Sequence, residues 1–203
     1  MKIINLYYSG FTVFAYLFGS IPFGYWLVKI FKGIDIRRFG SGNIGATNVY
    51  RVAGKGLGIF TFILDVFKGV IPVLILKKIS YVNFSPLFFV FIGIITIIGH
   101  NYSIFLKGKG GKGVSCSFGV ILALFPVAAA CSFLLWSLIF LISGYVSFGS
   151  IIAAFFLPFF IFIFNKNSVY VITGMLIFFI ILFAHRSNIK RLLTGKENKI
   201  KLW

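Results

Sequence analysis

Acidic side chains are nearly missing from this chain. Asp35, Asp65 and Glu197 are the only three in 203 residues, against twenty Lys and Arg. Three isolated carboxylates supply no acid–base pair and, with only two histidines (His100 and His185), no Ser-His-acid set. The same scarcity leaves no ligand cluster, so neither a metal nor another cofactor is expected. Cysteine is sparse too; Cys116 and Cys131 sit in apolar runs without metal-type spacing and are read as buried thiols. Any chemistry must therefore rely on hydrogen-bond donors and cations. Pro/Ser-rich linkers, low-complexity tails and internal repeats are also lacking. That argues for a single domain over residues 1–203 and against a solenoid or an inverted-repeat transporter.

What is abundant is grease: 60% of the residues are hydrophobic and 28 are Phe. A soluble core has no use for so much apolar surface, so the chain reads as an all-α integral membrane protein. The net charge of +17 comes with no recognisable nucleic-acid module. It fits membrane lipid headgroups, anionic substrates and membrane orientation instead. Residues 3–30 are read as a first membrane helix loosened by Gly19–Gly24, and not as a signal peptide, because the run is too long and lacks a cleavage site. Further spans are expected at 57–76, 85–106, 148–164 and 169–185.

Fifteen of the twenty cations fall in 29–55, 107–112 and 186–201, which the positive-inside rule places in the cytoplasm, with the N-terminus outside. An even number of crossings must then separate the second and third basic segments. Residues 114–146 exceed the ~20 that one helix needs. They read as a hairpin of two short spans with a turn near Cys131–Phe133, giving seven transmembrane helices, several of them short, and a cytoplasmic C-terminus. A five-span version, with 148–185 as one kinked element, stays open.

Three polar stretches interrupt the grease. In Gly40–Arg51, three glycines in six residues allow backbone N–H groups to converge. Asn43 would cap a short helix ending near Gly54, with Thr47, Asn48 and Arg51 on one face; such a helix start suits phosphate. Gly108–Gly113 carries Lys109 and Lys112 and opens a helix at Val114. It is neither a dinucleotide fingerprint, for want of a βαβ unit, nor a Walker loop, because Val114 stands where that motif needs Lys. It remains a basic, flexible cradle. In the third stretch His185 and Asn188 share a face of a continuing helix. His100 reads as an interface histidine or as a group orienting the glycine loop, Asp65 and Lys68 as an intramembrane ion pair, and Asp35 as a local partner of Arg37 and Arg38.

Together these motifs resemble the bacterial membrane glycerol-3-phosphate acyltransferases that use acyl phosphate as donor. The resemblance rests on Gly19–Gly24, Asp35–Arg37 with Gly40–Asn48 and Arg51, Lys109–Gly113, and His185–Arg191 with Gly195 and Glu197. It covers nearly the whole chain; Gly108 departs from it, standing where an aromatic residue is expected. It implies transfer of an acyl group to the 1-hydroxyl of glycerol 3-phosphate, giving lysophosphatidic acid and inorganic phosphate without an acyl-enzyme, in the bacterial inner membrane with the active site on the cytoplasmic side. By the same resemblance Ser41, Thr47, Arg51, Lys112, Ser150, His185 and Asn188 match functional positions, Ser147 competing with Ser150. Ser41, Thr47, Arg51, His185 and Asn188 are then expected to hold glycerol 3-phosphate, and Gly110, Gly111, Lys112 and Gly113 to hold acyl phosphate. Catalysis falls to His185, Asn188, Ser41 and Ser150, with the base being His185 or a substrate phosphate. The expected partners are the two substrates and membrane lipid, for a monomer coupled to an acyl-phosphate-producing enzyme. An anion or organophosphate transporter is the alternative; a phosphate-release assay on detergent-solubilised protein separates the two.

Overall fold

The computed structural model describes residues 2–79 and 84–200, without the side chains of residues 2–6. Lys201 and the side chain of Lys2, both counted in the charge argument, lie outside the described residues. Among the described residues every regular element is helical. The chain divides into two compact units, residues 1–123 and 124–203.

The first unit opens with α1 (Lys2–Ser20) and α2 (Phe23–Lys32). The expected loosening is a complete break, because Pro22 lacks an N–H and its ring crowds the preceding turn. Gly33 ends α2 in the left-handed conformation, and Lys29 Nζ caps the Gly33 carbonyl at 3.2 Å. A short 3₁₀ turn (Ile36–Arg38) leads through the Gly40–Gly45 loop to α3 (Ala46–Ala53), α4 (Lys55–Lys78) and α5 (Pro86–Asn101). The lysine-glycine loop follows, and α6 (Val114–Leu124) starts at the expected residue.

Two features hold this unit together. Glycines let helices touch backbone to backbone: a side chain at Gly69 or Gly119 would overlap the facing carbonyl of Cys116 or Val66. Beneath the polar loops, Val28, Ile36, Ile44, Val49 and Leu106 form a buried cluster. At about 1.5–3 kcal/mol for each side chain kept from water, that cluster fixes the floor on which both loops stand.

The second unit contains α7 (Pro126–Ser143), α8 (Val146–Phe164), α9 (Ser168–Ala184) and α10 (Arg186–Leu193). Here the sequence reading needs correction. No turn occurs at Cys131–Phe133; α7 runs straight through, and the chain breaks at Phe125, just before Pro126. Proline at the first helical position explains the break, whereas Cys131–Phe133 contains no residue that would stop a helix. Cys116 is buried as expected, but Cys131 on α7 is only half-buried. α7 presents Leu134, Leu138, Leu141 and Ile142 outward, as a lipid-facing helix does. α8 packs between α7 and α9, with Gly149 against Trp136 and Gly174 against Pro158.

Among the described residues five segments are long and apolar enough to cross a membrane: 7–32, 55–78, 86–106, 126–143 and 146–164. α9 with α10 makes a sixth if that pair, bent by 63°, counts as one; α6 is shorter.

Candidate active site

The first polar stretch is a loop built around Asn48. Its Oδ1 accepts the Ser41 N–H at 2.8 Å, and its Nδ2 donates to the carbonyls of Asn43 (2.8 Å) and Phe39 (3.0 Å). The buried amide thus ties the loop's two arms together. Asn48 therefore turns into the loop rather than toward a ligand beside Thr47 and Arg51, as its helical spacing suggests. Gly40, at φ +60°, lies so close that any Cβ would meet the Asn48 Oδ1. Asn43 does not begin the helix: its Oδ1 accepts the Gly45 N–H (2.8 Å) in an Asx turn, and α3 starts at Ala46. Ser41 is left exposed at the rim; Thr47 and Arg51 are half-buried.

Asp35 anchors the approach to this loop. It caps the 3₁₀ turn by accepting the Arg37 N–H (3.0 Å) and grips the Arg37 guanidinium through both oxygens, at 2.7 Å and 2.9 Å. The hydrogen bond from the Arg37 side chain brings its carboxyl down to about 2. The same pairing raises the Arg37 guanidinium. The expected local pair is thus present, and Arg37 also stacks over Tyr25 at 4.8 Å.

The second loop is moored to the end of α5. Gly111 donates its N–H to the His100 carbonyl and Gly110 to that of Asn101, each at 3.0 Å. Two of the four amides expected to face an anion are thus engaged inside the fold. Their glycines serve close approach instead: a Cβ at Gly110 would overlap the His100 and Asn101 carbonyls, and one at Gly111 the His100 ring. Lys107 takes a left-handed conformation (φ 53°), and Gly113, at φ +81°, leads into α6. The two loops stand side by side: Asp35, Arg37, Arg38, Gly42 and Ile44 from the first and Lys109 and Gly110 from the second line a cleft of about 460 Å³.

Below the second loop lies the expected intramembrane pair. Lys68 Nζ is 2.8 Å from Asp65 Oδ1 and donates at 2.8 Å to the Ile21 carbonyl, which the α1–α2 break leaves outside both helices. The ammonium therefore satisfies a carboxylate and an orphaned carbonyl together, the pairing a charge requires in a low-dielectric interior. His100 is 4% exposed, so it is a core residue and not an interface one.

In the second unit the third stretch centres on Glu197. Its Oε1 accepts from Asn188 Nδ2 (2.6 Å) and Ser147 Oγ (2.8 Å), and its Oε2 from Arg191 Nε (2.7 Å). Burial pushes this carboxyl up, but the three donors outweigh it and leave it lowered. The Ile200 N–H donates to the Gly144 carbonyl (3.0 Å), and Lys199 lies over Tyr145, so the terminal segment is folded back onto the α7–α8 turn. His185 and Asn188 do not lie on one continuous helix: the axis bends by 63° at His185. His185 Nδ1 meets the Ile181 carbonyl at 2.8 Å, so the proton of a neutral ring sits on Nδ1 and its lone pair on Nε2. Ser150 is buried and donates to its own helix at Val146 O (2.8 Å), whereas Ser147 shares the carboxylate with Asn188. Glu197 had a sequence signal, being the lone acid among six cations in 186–201.

The family model described as glycerol-3-phosphate acyltransferase matches residues 9–195. Proteins named glycerol-3-phosphate acyltransferase resemble the chain along nearly its whole length. One from Fusobacterium nucleatum is 44% identical, covering 94% of this chain and 97% of its own. One from Syntrophotalea carbinolica is 45% identical (92% and 94%), and one from Aquifex aeolicus 44% identical (93% and 96%). Crystal structures of PlsY (YgiH), an integral membrane glycerol 3-phosphate acyltransferase, superpose with TM-scores of 0.89 for the glycerol 3-phosphate form and 0.87 for the lysophosphatidic acid form. Both are 41% identical to this chain and cover 96% of it, and it covers 96% and 95% of them. By a family match over most of its length and relatives above 40% identity, the chain belongs to the glycerol-3-phosphate acyltransferase family.

Proposed function

We propose that this protein transfers an acyl group from acyl phosphate to the 1-hydroxyl of sn-glycerol 3-phosphate. The hydroxyl oxygen bonds to the acyl carbon, the acyl–phosphate C–O bond breaks, and inorganic phosphate leaves with 1-acylglycerol 3-phosphate (lysophosphatidic acid) as the other product. Phosphate is a competent leaving group, so no acyl-enzyme is required. The observation that carries this reading is the pair of adjacent glycine loops whose shared cleft is lined by Arg37, Arg38 and Lys109. Both substrates bring a phosphoryl group with a charge of roughly −1.5 to −2 at neutral pH, which such a cleft attracts.

In this reading Ser41, Thr47 and Arg51, with His185 and Asn188, bind glycerol 3-phosphate. Lys112 and the start of α6 bind acyl phosphate, with Gly110, Gly111 and Gly113 shaping the loop. The proton of the attacking hydroxyl passes to His185 Nε2, the basic nitrogen of the tautomer that the Ile181 carbonyl selects. Ser41 and Asn188 supply hydrogen bonds to developing charge, and Ser150 joins them only by turning its single O–H away from the Val146 carbonyl. The chain acts as one catalytic domain and a monomer in the bacterial cytoplasmic membrane, fed by an enzyme that makes acyl phosphate. α6 and α9 complete seven spans, with the N-terminus outside and the site on the cytoplasmic face; the clustering of cations in the three polar stretches supports this orientation. Purified protein in detergent should release phosphate when given acyl phosphate and glycerol 3-phosphate together. Equal acyl transfer from acyl-CoA, or release without glycerol 3-phosphate, would overturn the donor assignment or the direct transfer respectively.

A further inference from the structure

Asp65, Lys68 and His100 form a polar group inside the first unit that the proposed chemistry does not use. Each is almost fully withdrawn from solvent. His100 Nδ1 stands 3.7 Å from Asp65 Oδ1, beyond hydrogen-bond length, and has no hydrogen-bond partner among the described residues. A buried polar nitrogen left without a hydrogen bond is destabilising, so an apolar residue of similar size would suit packing alone better. The other edge of the ring explains its place. Nε2 faces the Gly111 backbone so closely that no Cβ fits between them. At the same residue the main chain is tied down, the Gly111 N–H donating to the His100 carbonyl. Backbone and side chain of His100 thus grip the loop from two directions, one pulling it in and the other setting how near it comes.

We propose that His100 is a positioning residue for the glycine loop: its imidazole, backed by the Asp65–Lys68 pair, is the spacer that fixes where residues 110–113 stand. The pair supplies a rigid back wall, since Lys68 is itself held by the Ile21 carbonyl. Gly111 must be glycine because the spacer is there, and not because the loop has to bend at that point; its φ is not in the left-handed region. The inference rests on the reading of this loop as a phosphate site.

The test is a size-swap in steady-state kinetics, with both Michaelis constants measured on detergent-purified protein. Gly111→Ala should raise the KM for acyl phosphate about tenfold or more, since the added methyl must push the loop off the ring. His100→Ala removes the ring and should raise it about three- to tenfold with a smaller change in kcat. The double variant should have a KM below that of Gly111→Ala alone, because the clash is relieved. His100→Asn, which keeps a polar but shorter side chain, gives the same comparison should His100→Ala not fold. A double variant at or above the Gly111→Ala value overturns the spacer role while leaving the loop a substrate site. If Gly111→Ala moves neither KM, the spacer and the phosphate-site reading fall together. If the KM for glycerol 3-phosphate responds in its place, the spacer stands and the assignment of substrates to loops is reversed.

Discussion

Replacing Glu197 by Gln should loosen the terminal segment far more than a surface change would. The carboxylate accepts three hydrogen bonds from Ser147, Asn188 and Arg191. Gln keeps one oxygen, enough for part of the Ser147–Asn188 side, but turns an NH₂ toward the Arg191 Nε–H, donor against donor. Hydrogen bonds to a charged group contribute about 1.5–3 kcal/mol each, so losing one outright and the charge from the others should cost about 2–4 kcal/mol. At 1.4 kcal/mol per factor of ten, the open state of residues 195–200 becomes roughly 30- to 700-fold more populated. Limited trypsin digestion in detergent reads this directly, because Lys196 and Lys199 lie in the segment. The same opening should follow acidification. The folded carboxyl is lowered, so its stabilisation is complete above its ordinary value of 4.5 and is lost as pH falls through the lowered value. A pepsin time course below pH 4.5 should therefore show cleavage of this segment rising in the parent protein and already high, with little pH dependence, in Glu197→Gln. Trypsin cleavage of Glu197→Gln within twofold of the parent at neutral pH would refute the hub role.

Asp65→Asn leaves the buried Lys68 ammonium without its carboxylate and should destabilise by about 3–5 kcal/mol, whereas Asp65→Asn with Lys68→Met should recover most of that; thermal unfolding in detergent distinguishes them. Asn48→Ala removes three hydrogen bonds of a buried amide, so the melting temperature should fall and kcat/KM for glycerol 3-phosphate should fall at least tenfold; a lower melting temperature with unchanged kcat/KM would make the amide purely structural. Arg51→Ala should raise the glycerol 3-phosphate KM and sharply lower activity; unchanged kinetics would remove Arg51 from the site.

Several features of the fold are legible in the residues one by one. Gly54 ends its helix and Val114 opens α6 where the glycines stop, whereas the break at Pro22 was legible only as a loosening of one helix. That residues 114–146 hold two helices and not one was readable, but not where the helices part. A length argument divides the run in half, while the actual break lies at Phe125, just before Pro126, and sequence periodicity offers no help in segments apolar all round. The Asp35–Arg37 pair and the Asp65–Lys68 pair were legible for the same reason: charges so few, and so near in sequence, have no other partner at hand.

Composition together with the long uninterrupted apolar runs determined that this is a helical membrane protein, because lipid demands an internally hydrogen-bonded backbone and barrel strands would alternate apolar with polar residues. Motif content pointed to the family. Only the tertiary structure decided what each polar group faces. Asn48 turns into its own loop, Gly110 and Gly111 give their amides to α5, His100 is core and not interface, and Glu197 gathers Ser147, Asn188 and Arg191. These are contacts between residues 5 to 50 positions apart, and hydrogen-bond direction over such separations depends on how helices pack, which no local pattern encodes.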